Sequence, residues 1–463
     1  MSRAVSIGFC RYHVVTGEAL EVAGMFDPLT LGISFSEKYA PATEVTGDPF
    51  GWLHRNVPDA LINHELAHAV SMMTTPAGLK DFLMNFMAED LSKTAISQAS
   101  ISLRPPLPIG LAGRLKDLES VPEVLEKMTH VVKFSSFLET RMGGLEFHID
   151  QESSVPDGLH FLADLDRKGG ASKVLLGTRH LFEGFAQSVE LGTIILAGER
   201  LTHAQVPPFD PYLVCSAIFD SLGRQRSTGS YRGTHLELAV VIDTALMMDS
   251  WIGGDTKIRY PYDDFWKLLN VLTKQGDLEL ARGGEGVEEF QNQLLEAVDN
   301  PLQKVSDIVK QEIEFLPELV REVRHYSSMS PSLAHTLLNS IKEFLTMRLD
   351  AYDGACPLGW LIGGARQQKE IMLRKLPSTA SGSLIPPVLD GDVTKNMFSL
   401  QTVGHIKRAV DEIIYGRQRC YVYDLCKLPH RAACEGFTKE ISAEGNRCPR
   451  ETVLTTLNSE FDL

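Results

Sequence analysis

The sequence predicts a mainly α-helical protein with a small β region near its N-terminus. Two observations carry this. Apolar residues recur at helical spacing over most of the chain beyond residue 58. The first fifty residues hold short runs that favour strands.

Within that first stretch, residues 4–15 and 31–35 carry β-branched and aromatic side chains, separated by polar, Gly- and Pro-containing segments. Pro58 suits the first turn of a helix running through His64, and Asp59 suits the positive end of its dipole. Pro76-Ala77-Gly78 is expected to end that helix, with a second amphipathic run over residues 79–91. Pro105, Pro106 and Pro108 break the chain before helical spacing resumes over residues 111–142. Further helices are predicted over 178–198, 212–222 and 236–251, the first two separated by Pro207, Pro208 and Pro211. After Gly253 and Gly254 the clearest helix has Ser330 as its cap and Pro331 in its first turn. It should bury Leu333, Leu337, Leu338, Ile341, Phe344, Leu345 and Leu349. Residues 376–392, rich in Pro, Gly, Ser and Thr, read as a linker or long loop.

The chain has 463 residues, enough for two or three domains, with an ordinary 43% of hydrophobic and 23% of charged residues. Its net charge of -15 disfavours nonspecific binding to nucleic acid or an anionic membrane, so neither is expected as a partner. The first residues lack the apolar stretch of a secretory signal, and the apolar segments 191–197 and 236–248 are too short to span a bilayer. A cytoplasmic location follows as the expectation. The seven cysteines are then expected as thiols or metal ligands rather than a disulfide framework.

The residues with most chemical content lie in Leu61-Ile62-Asn63-His64-Glu65-Leu66-Ala67-His68-Ala69-Val70. Histidines four apart project from one helical face about one turn apart, so both imidazoles can reach one Zn²⁺. Glu65, beside the first, is placed as a general base toward water at the metal. The residues between and after the histidines are apolar, as a helix buried behind a metal site requires.

Two glutamates compete as third ligand. Glu89 lies 21 positions after His68, close to the spacing of thermolysin-like enzymes; Glu183 lies 115 positions after it. Glu183 is preferred because His180, Glu183, Gln187 and Glu190 fall on one polar stripe of a helix, and Gly184 allows close approach of another group. The segment Glu183-Gly184-Phe185-Ala186 following a His-Glu-x-x-His helix resembles the third-ligand segment of gluzincin peptidases, notably the zinc aminopeptidases. The resemblance covers these two short segments. It implies a zincin-like catalytic region with His64, His68 and Glu183 on a catalytic zinc, Glu65 as general base, and hydrolysis of a peptide bond. The substrate-anchoring Gly-x-Met-Glu-Asn motif of the aminopeptidases is absent, so their exopeptidase specificity does not carry over.

Asp243 falls on a face that should be buried, where it needs either a metal-bound imidazole or an arginine as partner. His180, Tyr212 and His235 are candidates to stabilise an oxyanion. Cys420, Cys426, Cys434 and Cys448 cluster with gaps of five, seven and thirteen residues, and His430 lies among them. They suggest a second, structural zinc or an iron–sulfur cluster, or else four free thiols. The expected organisation is a short β or irregular region over 1–50, the catalytic region over 51–265, an additional helical domain over 266–415 and a Cys-rich tail over 416–463. The expected partner is a specific protein or peptide substrate. The alternative is a non-catalytic scaffold or regulatory interaction protein that keeps the metal shell, against which Glu65 argues, because metal retention alone needs only the ligands.

Overall fold

The computed structural model of the protein describes residues 13–16, 19–22, 24–27, 31–35, 57–87, 146–148, 160–164, 171–197, 212, 214–221, 231–248, 260–275, 280, 286–298, 304–326, 331–362 and 383–384. These residues are mainly helical.

The first long helix, α1 (Asp59–Thr74), is the centre of the packing. Every residue from Leu61 to Thr74 is buried, so the helix is covered on all sides rather than along one stripe. Pro58 stands at its N-cap position and Asp59 in its first turn, where a negative charge meets the positive end of the dipole. Thr75 is extended and interrupts the helix, and α2 follows at once over residues 76–87. Here the structure departs from the expectation that residues 76–78 end one helix and the next starts at Leu79. Pro76 instead begins the new helix, as its fixed φ suits a first turn. The Thr75 hydroxyl accepts the Gly78 N–H at 3.0 Å and caps it. A Cβ on Gly78 would lie 2.4 Å from the carbonyl oxygens of Ser71 and Met72, so the tight turn between the helices needs glycine.

The helix α3 (Thr178–Leu196) packs along α1 on one side and α5 (Tyr231–Met247) on the other, with the short α4 (Val214–Ser221) against α3 and α5. Three more helices, α6 (Pro261–Lys274), α7 (Val287–Ala297) and α8 (Val305–Tyr326), extend the bundle; α6 and α7 lie on α5. The next, α9 (Pro331–Tyr352), packs on α8 and returns to α1, and the single turn α10 (Leu358–Leu361) touches α1 and α3. On α9 the expected stripe is buried at Leu337, Leu338, Ile341, Phe344 and Leu345, while Leu349 is half-buried. Asp353 and Gly354, both with positive φ, close that helix. One contiguous apolar cluster runs from Phe26 to Ile362, so residues on both sides of position 265 share it.

Short antiparallel ladders accompany the helices. The strands β1 (His13–Thr16) and β2 (Ala19–Val22) pair, as do β3 (Gly24–Asp27) and β4 (Gly32–Phe35). The strands β5 (Glu146–His148), β6 (His160–Asp164) and β7 (Ala171–Leu175) form a meander, and β8 (Ser383–Leu384) adds to β4. Both β3 and β4 lie on α1, where Phe26 and its partner Ile33 are buried.

Candidate metal centre

Two helices build the site. On α1, His64 and His68 are one turn apart, and their Nε2 atoms lie 3.3 Å from each other. On α3, Glu183 brings Oε2 to 3.4 Å from His68 Nε2. Donor atoms of all three residues lie within 4.8 Å of one another, and all three residues are buried. Two ligands about 2.05 Å from a tetrahedral zinc stand about 3.3 Å apart. The observed spacings match that figure, and both exceed the ~2.7–2.9 Å of a charge-assisted hydrogen bond. The donor set and its spacing therefore fit a single small metal ion.

Two of the donors have a charged group behind them. Glu190, two turns along α3 from Glu183, places Oε2 at 3.0 Å from His64 Nδ1, the ring nitrogen turned away from His68. The Arg179 Nε lies 3.6 Å from Glu183 Oε1, the oxygen that does not face His68. The Phe26 ring lies nearly parallel to that of His68, with centroids 6.3 Å apart, and the Tyr212 ring is 6.1 Å from that of His64.

Burial and charge divide the two carboxylates of the site. Burial alone would raise Glu183, but His68, Arg179 and His64 outweigh it and hold the carboxyl down at about 2, so it is an ionised donor. Burial raises Glu65 to about 8; His64 opposes the rise, Glu183 and Glu190 add to it, and the Phe26 backbone tempers it. A divalent cation at the donors would favour the ionised form of Glu65. Burial lowers His68, with Glu183 opposing. The same effect on His64 is reversed by Glu190, and its net shift is upward. The Glu65 carboxyl is fully buried, no described side chain hydrogen-bonds it, and the Phe26 backbone is the one hydrogen-bonding group that acts on it among the described residues. A buried carboxyl in that condition is costly unless something else engages it, as a reacting water or substrate would.

The other sequence candidates fall in different places. Tyr212 joins the site beside His64. His180 uses Nδ1 to accept the Gly177 N–H at 2.9 Å, closing the first turn of α3. His235, early on α5, is buried, which lowers it to about 4 and keeps it neutral. Of the two partners open to Asp243, the structure supplies the arginine: Arg348 Nη2 lies 2.6 Å from its Oδ2. Gly184 is covered by Cys215 and Ile242, with an added Cβ only 2.8 Å from Cys215 Cβ, so the close approach there is helix packing rather than room for a substrate. Glu89 and the four tail cysteines lie outside the described residues. Sequence reasoning did not assign roles to Glu190, Arg179 or Phe26. Glu190 had a signal, its place on the Glu183 stripe, and Arg179 stands one turn before that ligand.

Compared with protein-family models, with curated proteins and with solved structures, the chain finds no match. The chemistry of the site is therefore read from its own geometry.

Proposed function

We propose that the protein is a zinc-dependent peptidase of the His-Glu-x-x-His type, with a zincin-like catalytic region that acts on a specific protein or peptide substrate. The observation that carries this reading is the convergence of His64, His68 and Glu183 at ligand spacing beside a buried Glu65 to which no described side chain donates. Two histidines and one glutamate are a donor set of catalytic zinc, which keeps a fourth position for water or substrate.

In this reading His64 and His68 hold the metal through Nε2 and Glu183 through Oε2. When bound, zinc supplies Lewis acidity toward a carbonyl oxygen and toward water. Glu65 takes a proton from the attacking water at a carboxylate oxygen and returns it to the leaving amine nitrogen. Glu190, 3.0 Å from His64 Nδ1, favours the tautomer protonated at that nitrogen, and Arg179 adds to His68 in keeping Glu183 ionised. Tyr212, buried beside His64, is the best placed of the three oxyanion candidates. His64, Glu65 and Glu183 have no exposed surface.

The experiment is metal analysis of the purified chain together with cleavage of a peptide library. The expected result is a zinc held through His64, His68 and Glu183, with cleavage stopped by a chelator. In the Glu183→Ala chain occupancy should fall strongly, and in Glu89→Ala it should not. Retention of zinc in Glu183→Ala with loss in Glu89→Ala would move the third ligand, and a chain without metal or cleavage would end the reading.

A further inference from the structure

The buried Arg348 lies on α9, far from the metal donors in sequence, yet it grips the end of the helix that carries two of them. Its Nη1 lies 3.1 Å from Thr74 Oγ1 and 3.4 Å from the Thr74 carbonyl oxygen. Thr74 is the last residue of α1, whose final carbonyls have no partner within the helix. A guanidinium there satisfies one of them and meets the negative end of the dipole. The same group donates from Nη1 and Nη2 to the two Asp243 oxygens on α5, at 3.1 and 2.6 Å, and from Nε to the Gly354 carbonyl at 2.7 Å. Asp243 Oδ2 also accepts from Gln291 Nε2 on α7 at 2.9 Å, and Gln291 Oε1 accepts the Cys356 N–H at 2.7 Å.

Burying this charge pair gives little stability in itself, since apolar residues of the same volume often serve as well. What it provides is direction. Apolar packing lets a helix slide or turn by a fraction of an ångström, whereas forked hydrogen bonds to one hydroxyl and one carboxylate do not. Glu183 sits on α3, which packs on α5, and the histidines sit on α1. Arg348 ties α1 to α5 and thereby sets the register of the histidines against Glu183. Thr74 is six residues past His68, about 9 Å along the axis, so the grip is close enough to govern that register. Sites of this kind need their groups held within about 0.5 Å.

We propose that Arg348 is a positioning residue of the metal centre: by clamping Thr74 to Asp243 it fixes α1 so that His64 and His68 meet Glu183 at ligand spacing. The proposal rests on the metal-binding reading of the site. Its test uses the full chain and two probes, Zn²⁺ in competition with a chelator and Co²⁺ as a spectroscopic substitute. The main variant is Arg348→Met with Asp243→Leu, which removes both buried charges and should stay folded with a thermal midpoint near that of the wild type. The second is Arg348→Lys, which keeps the charge and loses the fork, and serves if the first does not fold. At a temperature where each chain is folded, zinc affinity should fall at least tenfold in the double variant and at least threefold in Arg348→Lys, with a changed Co²⁺ spectrum. A folded variant with wild-type affinity and spectrum overturns the positioning role. If the wild type binds neither ion, or binds it equally after His64→Ala, the metal reading itself falls and the proposal with it.

Discussion

Glu190 Oε2 stands 3.0 Å from His64 Nδ1, while the opposite nitrogen of the same ring faces His68. A carboxylate behind a ligating imidazole fixes which nitrogen carries the proton and raises the basicity of the other. Glu190→Gln should therefore fold normally and bind zinc about 10- to 100-fold more weakly, the usual cost of losing such a partner. Chelator competition measures it. Wild-type affinity in this variant would reduce Glu190 to a buried acid with no part in the centre.

The buried carboxyl of Glu65, to which no described side chain donates, leads to a different expectation. Its carboxyl is not one of the three clustered donors. Glu65→Gln, nearly the same size, should keep the metal and the thermal midpoint and lose hydrolysis by at least about 10²-fold, the lower range for general base catalysis. Metal content, melting and turnover are read on one preparation. Loss of metal would place Glu65 among the ligands, and full turnover would give the base role to another group.

The contrast between these residues shows what the sequence carries. His64, Glu65 and His68 were legible because helical spacing alone brings them to one face. Glu183 was legible as part of a polar stripe on a single helix. The partner of Asp243 was not, because Arg348 meets Asp243 and Thr74 from 105 and 274 positions away and no local pattern encodes such a contact. A signal existed nonetheless: Arg348 continues the apolar stripe of Ile341, Phe344 and Leu345 at i+7 and i+4, where a charge must find a buried partner. The junction at Pro76 was misread for a related reason. Proline is read as a helix breaker, yet it also starts a helix, and the Thr75 cap to Gly78 decides which role it plays here. At Gly184 the close approach that the glycine allows is made by Cys215 and Ile242 of neighbouring helices.

His235 gives a pH prediction with a definite sign. Burial holds it at about 4 in the folded chain against the ordinary 6.5. Between those values the unfolded chain binds more protons than the folded one, so stability is full above pH 6.5 and falls as pH drops toward 4. Replacing His235 by Gln removes the ionisable group. The slope of unfolding free energy between pH 6.5 and 5 should flatten relative to wild type, whatever the offset from altered packing. Urea titrations at several pH values give that slope, and equal slopes in the two chains would mean that His235 protonates freely when folded.

Thiol reactivity separates two kinds of cysteine. Cys215 is buried and lies 3.2 Å from the His180 carbonyl, to which its thiol can donate, and burial pushes it well above the ordinary range. Burial and then Asp243 raise Cys356 in the same way. Because the thiolate is the reactive form, both should resist alkylation in the native chain and react only on unfolding. Cys420, Cys426, Cys434 and Cys448 are protected for another reason if they share a zinc: the metal, rather than burial, blocks them. A chelator should then expose those four to label while Cys215 and Cys356 stay unlabelled, and metal content should fall from two ions per chain. Structural zinc supplies folding energy to its segment, so proteolysis over residues 416–463 should quicken at the same time. Native labelling of Cys215 would contradict its place under α3. Labelling of all four tail cysteines without chelator, at one metal per chain, would make them ordinary thiols and leave His64, His68 and Glu183 as the metal site.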